Sequence, residues 1–186
     1  MKRTVSGALV ATALIAIATL GVRADDQDTK FQLSATLIGN NEVPPIATAG
    51  KGRLRATLDT KAQQITFELT YSGLEGEQGK PPLFAHIHFG QPAVNGGVMV
   101  FFCGGGGKPA CPASNGVPVT VTGTIAATDV VGPAVQGINP STPADNEFDD
   151  VAAAILSGTS YANIHTTKYP SGEIRGQVKV HGGDHQ

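Results

Sequence analysis

Short segments in which apolar and polar residues alternate recur along this chain, and stretches rich in glycine and proline separate them. In residues 117–125, for example, Val119, Val121 and Ile125 alternate with threonines. Successive side chains of a β-strand point to opposite faces of its sheet, so this period of two predicts half-buried strands. The 24 glycines and 12 prolines suit many tight turns. The predicted strands cover residues 31–38, 52–58, 64–71, 81–90, 98–102, 117–125, 161–167 and 173–180.

One segment, residues 145–157, has helical periodicity instead. Acidic residues crowd its first turn, where they complement the helix dipole, and Gly158 follows where a C-terminal cap belongs. Its apolar stripe consists of Phe148, Val151, Ala152, Ile155 and Leu156. Many short strands with one short helix predict an all-β fold, specifically an antiparallel β-sandwich of about 7–8 strands with Greek-key connections.

The first 24 residues have the composition of a secretory signal peptide. A basic start precedes an apolar run over residues 8–22, and small residues, Val22 and Ala24, stand where signal peptidase reads the chain. The apolar run is too short for a comfortable transmembrane helix, which needs about 20 residues. An uncleaved membrane anchor nevertheless stays open as an alternative. We expect cleavage after Ala24 and a secreted or periplasmic protein. The remainder is predicted to be a loose leader at 25–30, one domain at 31–180 and a polar tail at 181–186.

The charge of the chain bears on its partners. The formal net charge is −2, and the predicted signal peptide carries three basic residues and no acidic one. The mature chain is therefore mildly acidic and has no cluster of basic residues. Because nucleic-acid-binding surfaces and membrane-surface helices are basic, we expect no nucleic-acid partner and no membrane insertion of the mature chain. The expected partner is a protein or a small ligand.

The two cysteines, Cys103 and Cys111, flank a glycine-rich loop. Nearby cysteines of a secreted protein usually pair, so the sequence predicts a disulfide bond. A thiolate metal pair is the alternative, but its usual spacing is narrower.

Three histidines form a candidate metal site. His86 and His88 alternate within one predicted strand and therefore point to the same side of it. His165, in another predicted strand, is the third candidate. Three neutral imidazoles suit copper or zinc, and such a site loses its metal as the histidines protonate, below about pH 6. Two alternatives stay open: a wetted face of an edge strand for the first pair, and a structural role for His165.

Residues near these histidines could orient them. Asn163 and Tyr161 share the predicted face of His165 and could bond to it, although ordinary strand packing also explains Tyr161. Arg175 is predicted on the outward face of the last strand with Glu173, where it could attract an anion. The chain contains no nucleophile elbow, metalloprotease or phosphate-loop motif, so no catalytic residue is identified.

The motifs H-x-H-x-G at residues 86–90, N-x-H-T at 163–166 and P-x-G-E-I-R-G-Q at 170–177 resemble those of the CHRD domain. The likeness runs from about residue 31 to residue 180. CHRD domains occur in chordin, an extracellular antagonist of growth factors, and in secreted bacterial proteins. The resemblance implies a secreted CHRD-domain protein, and the bacterial members of that family are mostly of unassigned activity.

A looser likeness links the H-x-H strand to the copper-binding strand of copper–zinc superoxide dismutases, which are β-sandwiches with an immunoglobulin-like arrangement. His86 and His88 match that strand, and His165 could stand for a further copper ligand on a late strand. The histidines and aspartate of a zinc half are not found. We therefore expect a binding module with a histidine metal site, and a superoxide-dismutase-like copper enzyme is the alternative. A role in matrix or envelope attachment is a third possibility.

Overall fold

The computed structural model describes residues 29–76, 80–142 and 145–183. The predicted signal peptide lies outside these residues. Within them the strands are β1 (Lys30–Ile38), β2 (Lys51–Asp59), β3 (Gln64–Ser72), β4 (Phe84–Phe89), β5 (Gly97–Cys103), β6 (Val119–Ala126), β7 (Ser160–His165), β8 (Ile174–Gln177) and β9 (Lys179–Gly183), with one α-helix, α1 (Phe148–Leu156).

All paired strands run antiparallel within one sheet, in the order β5-β4-β7-β8-β1-β2-β3-β6, and β9 pairs with β1. The sheet curls into a nearly closed barrel, so that opposite walls face each other across the core. The ring centroids of Phe67 on β3 and Phe102 on β5 are 4.7 Å apart, near the seam where the edge strands β5 and β6 approach each other. The prediction of an all-β antiparallel fold is confirmed.

The alternating apolar residues fill the barrel interior, as their period requires. Leu54 and Leu58 on β2 and Ile65 and Leu69 on β3 have no exposed surface. The carboxylate of Asp59 closes the turn between these strands by accepting a hydrogen bond of 2.8 Å from the Ala62 amide. Burial of one face therefore fixes the register of this hairpin.

The last predicted strand, residues 173–180, is divided in the structure. β8 ends at Gln177, and the amide of buried Val178 donates to the Ser160 carbonyl at 2.9 Å. β9 then pairs with β1 and continues to Gly183, three residues beyond the predicted domain end. Residues 184–186 of the predicted tail lie outside the described residues.

Helix α1 begins later than its sequence pattern predicts. The Asn146 side-chain oxygen accepts a hydrogen bond from the Phe148 amide at 3.0 Å, a local turn contact that precedes the first helical residue. Most of the predicted stripe is buried against the barrel, but Leu156 is 39% exposed. No helix among the described residues has the length and apolar character to cross a membrane.

The predicted disulfide joins Cys103 and Cys111, whose Cα atoms are 4.9 Å apart. Both cysteines are buried: Cys103 is the last residue of β5, and Cys111 lies in the loop that follows. The glycine-rich loop between them folds back on itself, because the Gly104 amide donates to the Pro109 carbonyl at 2.8 Å. The disulfide prediction is confirmed.

Candidate metal centre

β4 carries two histidines on the outer face of the barrel. Ala85 and Ile87 point into the core and have no exposed surface, so His86 and His88 point outward. The histidines are nevertheless buried, with 3% and 9% of their surface exposed. Loops that cross the outer face of β4, β7 and β8 cover them.

The neighbouring strand β7 brings the third histidine to the same face. His165 lies opposite Phe84 in the β4–β7 ladder, diagonal to His86. The ring centroid of His86 is 4.4 Å from that of His88 and 4.6 Å from that of His165. We call these three residues the histidine cluster.

The ring nitrogens of the histidine cluster lie close enough for one ion after a small adjustment. One nitrogen from each ring lies within 4.8 Å of the others. A metal about 2.0–2.1 Å from each nitrogen would require separations of roughly 3.3–3.6 Å. Rotation of the side chains over about 1 Å is therefore enough to complete the site.

Backbone carbonyls fix the tautomers of two of these rings. Nδ1 of His88 lies 2.8 Å from the Gly96 carbonyl oxygen, and Nδ1 of His165 lies 2.8 Å from that of Pro170. A carbonyl oxygen only accepts, so each Nδ1 carries the proton and donates it. In the neutral ring the lone pair is then on Nε2, the form that binds a metal.

Three buried ring nitrogens have no hydrogen-bond partner among the described residues: Nδ1 of His86 and Nε2 of His88 and His165. Leaving a buried polar atom without a partner costs about 1–3 kcal/mol. A metal ion bound to the three nitrogens would satisfy all of them at once, so the residues present fit such an ion.

Burial also keeps the histidine cluster neutral. Burial is the main cause that lowers the pKa of His86 to about 2, and the neighbouring rings of His88 and His165 lower it further in the same direction. Burial also lowers the pKa of His88 to about 4. Burial likewise lowers the pKa of His165. Protons therefore compete with a metal only in more acidic solution than the pH of about 6 expected from ordinary histidines.

Tyr161, expected to orient His165 by a hydrogen bond, stacks instead on His88, and Arg175 stacks on Tyr161. The Tyr161 ring is parallel to that of His88, with centroids 4.5 Å apart, and the Arg175 guanidinium lies 3.3 Å from the other side of the Tyr161 ring. Arg175 also donates to the carbonyls of Gln91 and Val94. It thereby holds the loop whose Gly96 carbonyl orients His88.

Asn163 does not form the hydrogen bond to His165 that was expected of it. Its amide donates to Glu42 at 2.6 Å and to the Ile174 carbonyl at 3.2 Å, whereas His165 is oriented by Pro170. Sequence reasoning missed Glu42, a buried acid in the loop between β1 and β2. Burial raises the pKa of Glu42 to about 7.

The expectation that Glu173 and Arg175 lie on an outward face needs correction, because loops cover that face. Glu173 has no exposed surface and Arg175 is 2% exposed. The Glu173 carboxylate accepts hydrogen bonds from the hydroxyls of Thr48 and Thr166 and from the Glu75 amide. Arg175 does not present a free charge to an anion, since its guanidinium is bonded to the covering loop.

Two phenylalanines complete the surroundings of the histidine cluster. The Phe101 ring on β5 is 5.1 Å from that of His86, and the Phe84 ring is 6.3 Å from that of His165. Phe84 is 38% exposed and forms the outer part of this cover. The alternation of β4 could have identified Phe84, because it places that residue on the histidine face.

The remaining described histidine lies elsewhere. His181, on β9, has its Nε2 2.7 Å from the hydroxyl of Ser34 and is not part of the histidine cluster. His185 lies outside the described residues.

A search of protein families matches the CHRD domain over residues 33–178. No curated protein and no solved structure matches the chain.

Proposed function

Because the chain belongs to the CHRD-domain family, we propose that it is a secreted or periplasmic binding module with a metal site formed by His86, His88 and His165. The proposed metal is copper or zinc, both of which imidazole ligands suit. Tyr161 and Arg175 hold the ligands in place. The partner of the module is a protein or a small ligand.

One observation carries the metal proposal. Nε2 of His88 and of His165 are buried without a partner, while their Nδ1 atoms are committed to backbone carbonyls. A histidine that merely stabilises a strand would use both ring nitrogens or expose one of them to water. Two rings that leave buried lone pairs pointing toward a third are better explained by a shared cation.

Binding is favoured over catalysis by the cover of the site. A dismutase needs an open position where a small oxidant reaches the metal. Here the free nitrogens are buried and the Phe84 and Phe101 rings flank the histidine cluster. A superoxide assay of the copper-loaded protein tests the enzyme alternative, and we expect no activity above that of the copper-free protein.

The disulfide supports the proposed location. Disulfide bonds form and persist in oxidising compartments, and the Cys103–Cys111 bond closes a loop next to the site. The composition of residues 1–24 supports it independently.

Metal titration of the purified protein tests the proposal. We expect one copper or zinc ion per chain, and a loss of at least a hundredfold in affinity in the His86→Ala variant, because the buried site loses one of three ligands. The His181→Ala variant is the matched control and should bind as the unmodified protein does. Equal binding by the His86→Ala variant would contradict the proposal.

A further inference from the structure

The histidine cluster offers a metal no negative charge. Its donors are three neutral imidazoles, and among the described residues no carboxylate or thiolate joins the group. From this and from the surroundings we infer that the site is selective for Cu(I) over Cu(II) and Zn(II). The inference rests on the metal site proposed above and specifies the ion it takes.

The first step is the cost of burying the ion. The free nitrogens of His86, His88 and His165 are buried, so an ion bound to them loses its water. The Born cost of that transfer rises with the square of the charge and is about four times larger for a dication than for a monocation of equal size. Three neutral imidazoles offset this larger cost less than a donor set with a carboxylate or thiolate would, because they bring no negative charge.

The second step is the charge beyond the ligands. The Arg175 guanidinium is separated from the His88 ring only by the Tyr161 ring, which stacks on both. Arginine keeps its positive charge in proteins, and its repulsion is twice as large for a dication as for a monocation. Its hydrogen bonds go to Asn95 and to backbone carbonyls, which carry no net charge. The Glu42 carboxyl also interacts with it electrostatically, but burial of Glu42 favours the protonated, neutral form.

The third step is the number of ligands. Zn(II) takes a fourth ligand, usually water in a site with three histidines, and Cu(II) prefers a square or tetragonal arrangement. The apolar rings of Phe84 and Phe101 flank the histidine cluster, 6.4 Å and 5.1 Å from the His86 ring. Cu(I) is stable with three nitrogen ligands in an apolar setting, so the aromatic cover favours it.

Competition titrations of the full mature chain measure the selectivity. Cu(I), kept reduced by ascorbate without oxygen, is buffered with bicinchoninate, and Cu(II) and Zn(II) are buffered with glycine. We expect one Cu(I) per chain, bound at least a hundredfold more tightly than either divalent ion.

A substitution at Phe84 tests whether the lack of negative charge at the histidine cluster causes the selectivity for Cu(I). Phe84 is 38% exposed, so its replacement leaves the barrel interior unchanged. The Phe84→Glu variant supplies a carboxylate beside the histidine cluster, and the Phe84→Gln variant supplies the same shape without charge. The preference for Cu(I) over Cu(II) should be at least tenfold smaller in Phe84→Glu than in Phe84→Gln.

Preference for Cu(I), reduced in Phe84→Glu relative to Phe84→Gln, supports the inference. If divalent ions bind as tightly as Cu(I) and the His86→Ala variant no longer binds them, the inferred selectivity is wrong but the proposed metal site is supported. An equal preference in the two Phe84 variants would overturn the charge argument. Absence of binding by any of the three ions would overturn both the selectivity and the proposed function.

Discussion

Glu42 is a buried acid next to the histidine face, and its environment favours the protonated form. It is 7% exposed, and the Asn163 amide donates to it at 2.6 Å. Desolvation dominates and raises its pKa to about 7, although Asn163 and Arg175 oppose the shift. The folded protein therefore binds a proton here, between about pH 4.5 and pH 7, that the unfolded chain releases.

The Glu42→Gln substitution should remove this pH dependence. Because the folded pKa is raised, the contribution of Glu42 to stability is complete below pH 4.5 and is lost as the pH rises through about 7. The difference in free energy of unfolding, variant minus unmodified protein, should be larger at pH 8 than at pH 5 by on the order of 1–3 kcal/mol. Urea unfolding at the two pH values measures this difference. A constant difference between the two proteins would contradict the assignment.

Individual residues of the candidate site were predictable only where local alternation determines them. The period of two places His86 and His88 on one face whatever the rest of the fold does. Glu42 and the carbonyls of Gly96 and Pro170 reach the histidine face through loops, and no local pattern specifies where a loop crosses a sheet. For the same reason the burial of Arg175 could not be read from its strand.

The loop between β4 and β5 is the element that orients His88. Its Gly96 carbonyl accepts the Nδ1 proton of His88, and its Gly96 amide donates to the Tyr161 hydroxyl at 3.2 Å. A Cβ atom on Gly96 would lie 1.7 Å from the Phe89 carbonyl oxygen, so a side chain there must displace the loop.

The Gly96→Ala substitution should weaken metal binding without removing any ligand. Displacement of the carbonyl frees the His88 ring to change tautomer and orientation, and loss of such a supporting contact typically costs about 10–100-fold in metal affinity. Titration with the proposed metal measures the loss. Gly182→Ala, where a Cβ meets no atom within 4 Å, is the control. Equal affinities of the two variants would show that the loop does not position His88.

The disulfide element makes a separate contribution to stability. The bond closes a loop with a sequence separation of 8. The chain-entropy relation gives about 2–3 kcal/mol for a loop of this size. The double variant Cys103→Ala and Cys111→Ala should lose that amount in urea unfolding, and the unmodified protein should lose it in reducing agent. No loss in either experiment would mean that the glycine-rich loop is ordered without the bond.

At the scale of the whole molecule, one curled sheet creates the site. β4 and β7 are separated by about 70 residues in the chain but are neighbours in the sheet, which places His165 beside His86. The sequence predicts the strands and their buried faces because these depend on local alternation. The order of strands depends on long-range pairing, and the division between β8 and β9 depends on the contact of Val178 with Ser160.

If the chain is exported and its signal peptide is cleaved as predicted, the mature protein has a defined first residue. Cleavage after Ala24 would leave Asp25 as the first residue of the protein recovered from the periplasm or the medium. N-terminal sequencing of that material tests this expectation. Recovery of the chain with Met1 in the membrane fraction would favour the uncleaved anchor instead.

The central claim is that His86, His88 and His165 bind one metal ion together, and anomalous X-ray diffraction from copper-loaded crystals tests it most directly. The account predicts one copper peak, about 2.0–2.1 Å from Nδ1 of His86 and from Nε2 of His88 and His165. A peak at His181, or copper distributed over the surface while the three nitrogens stay apart, would contradict it.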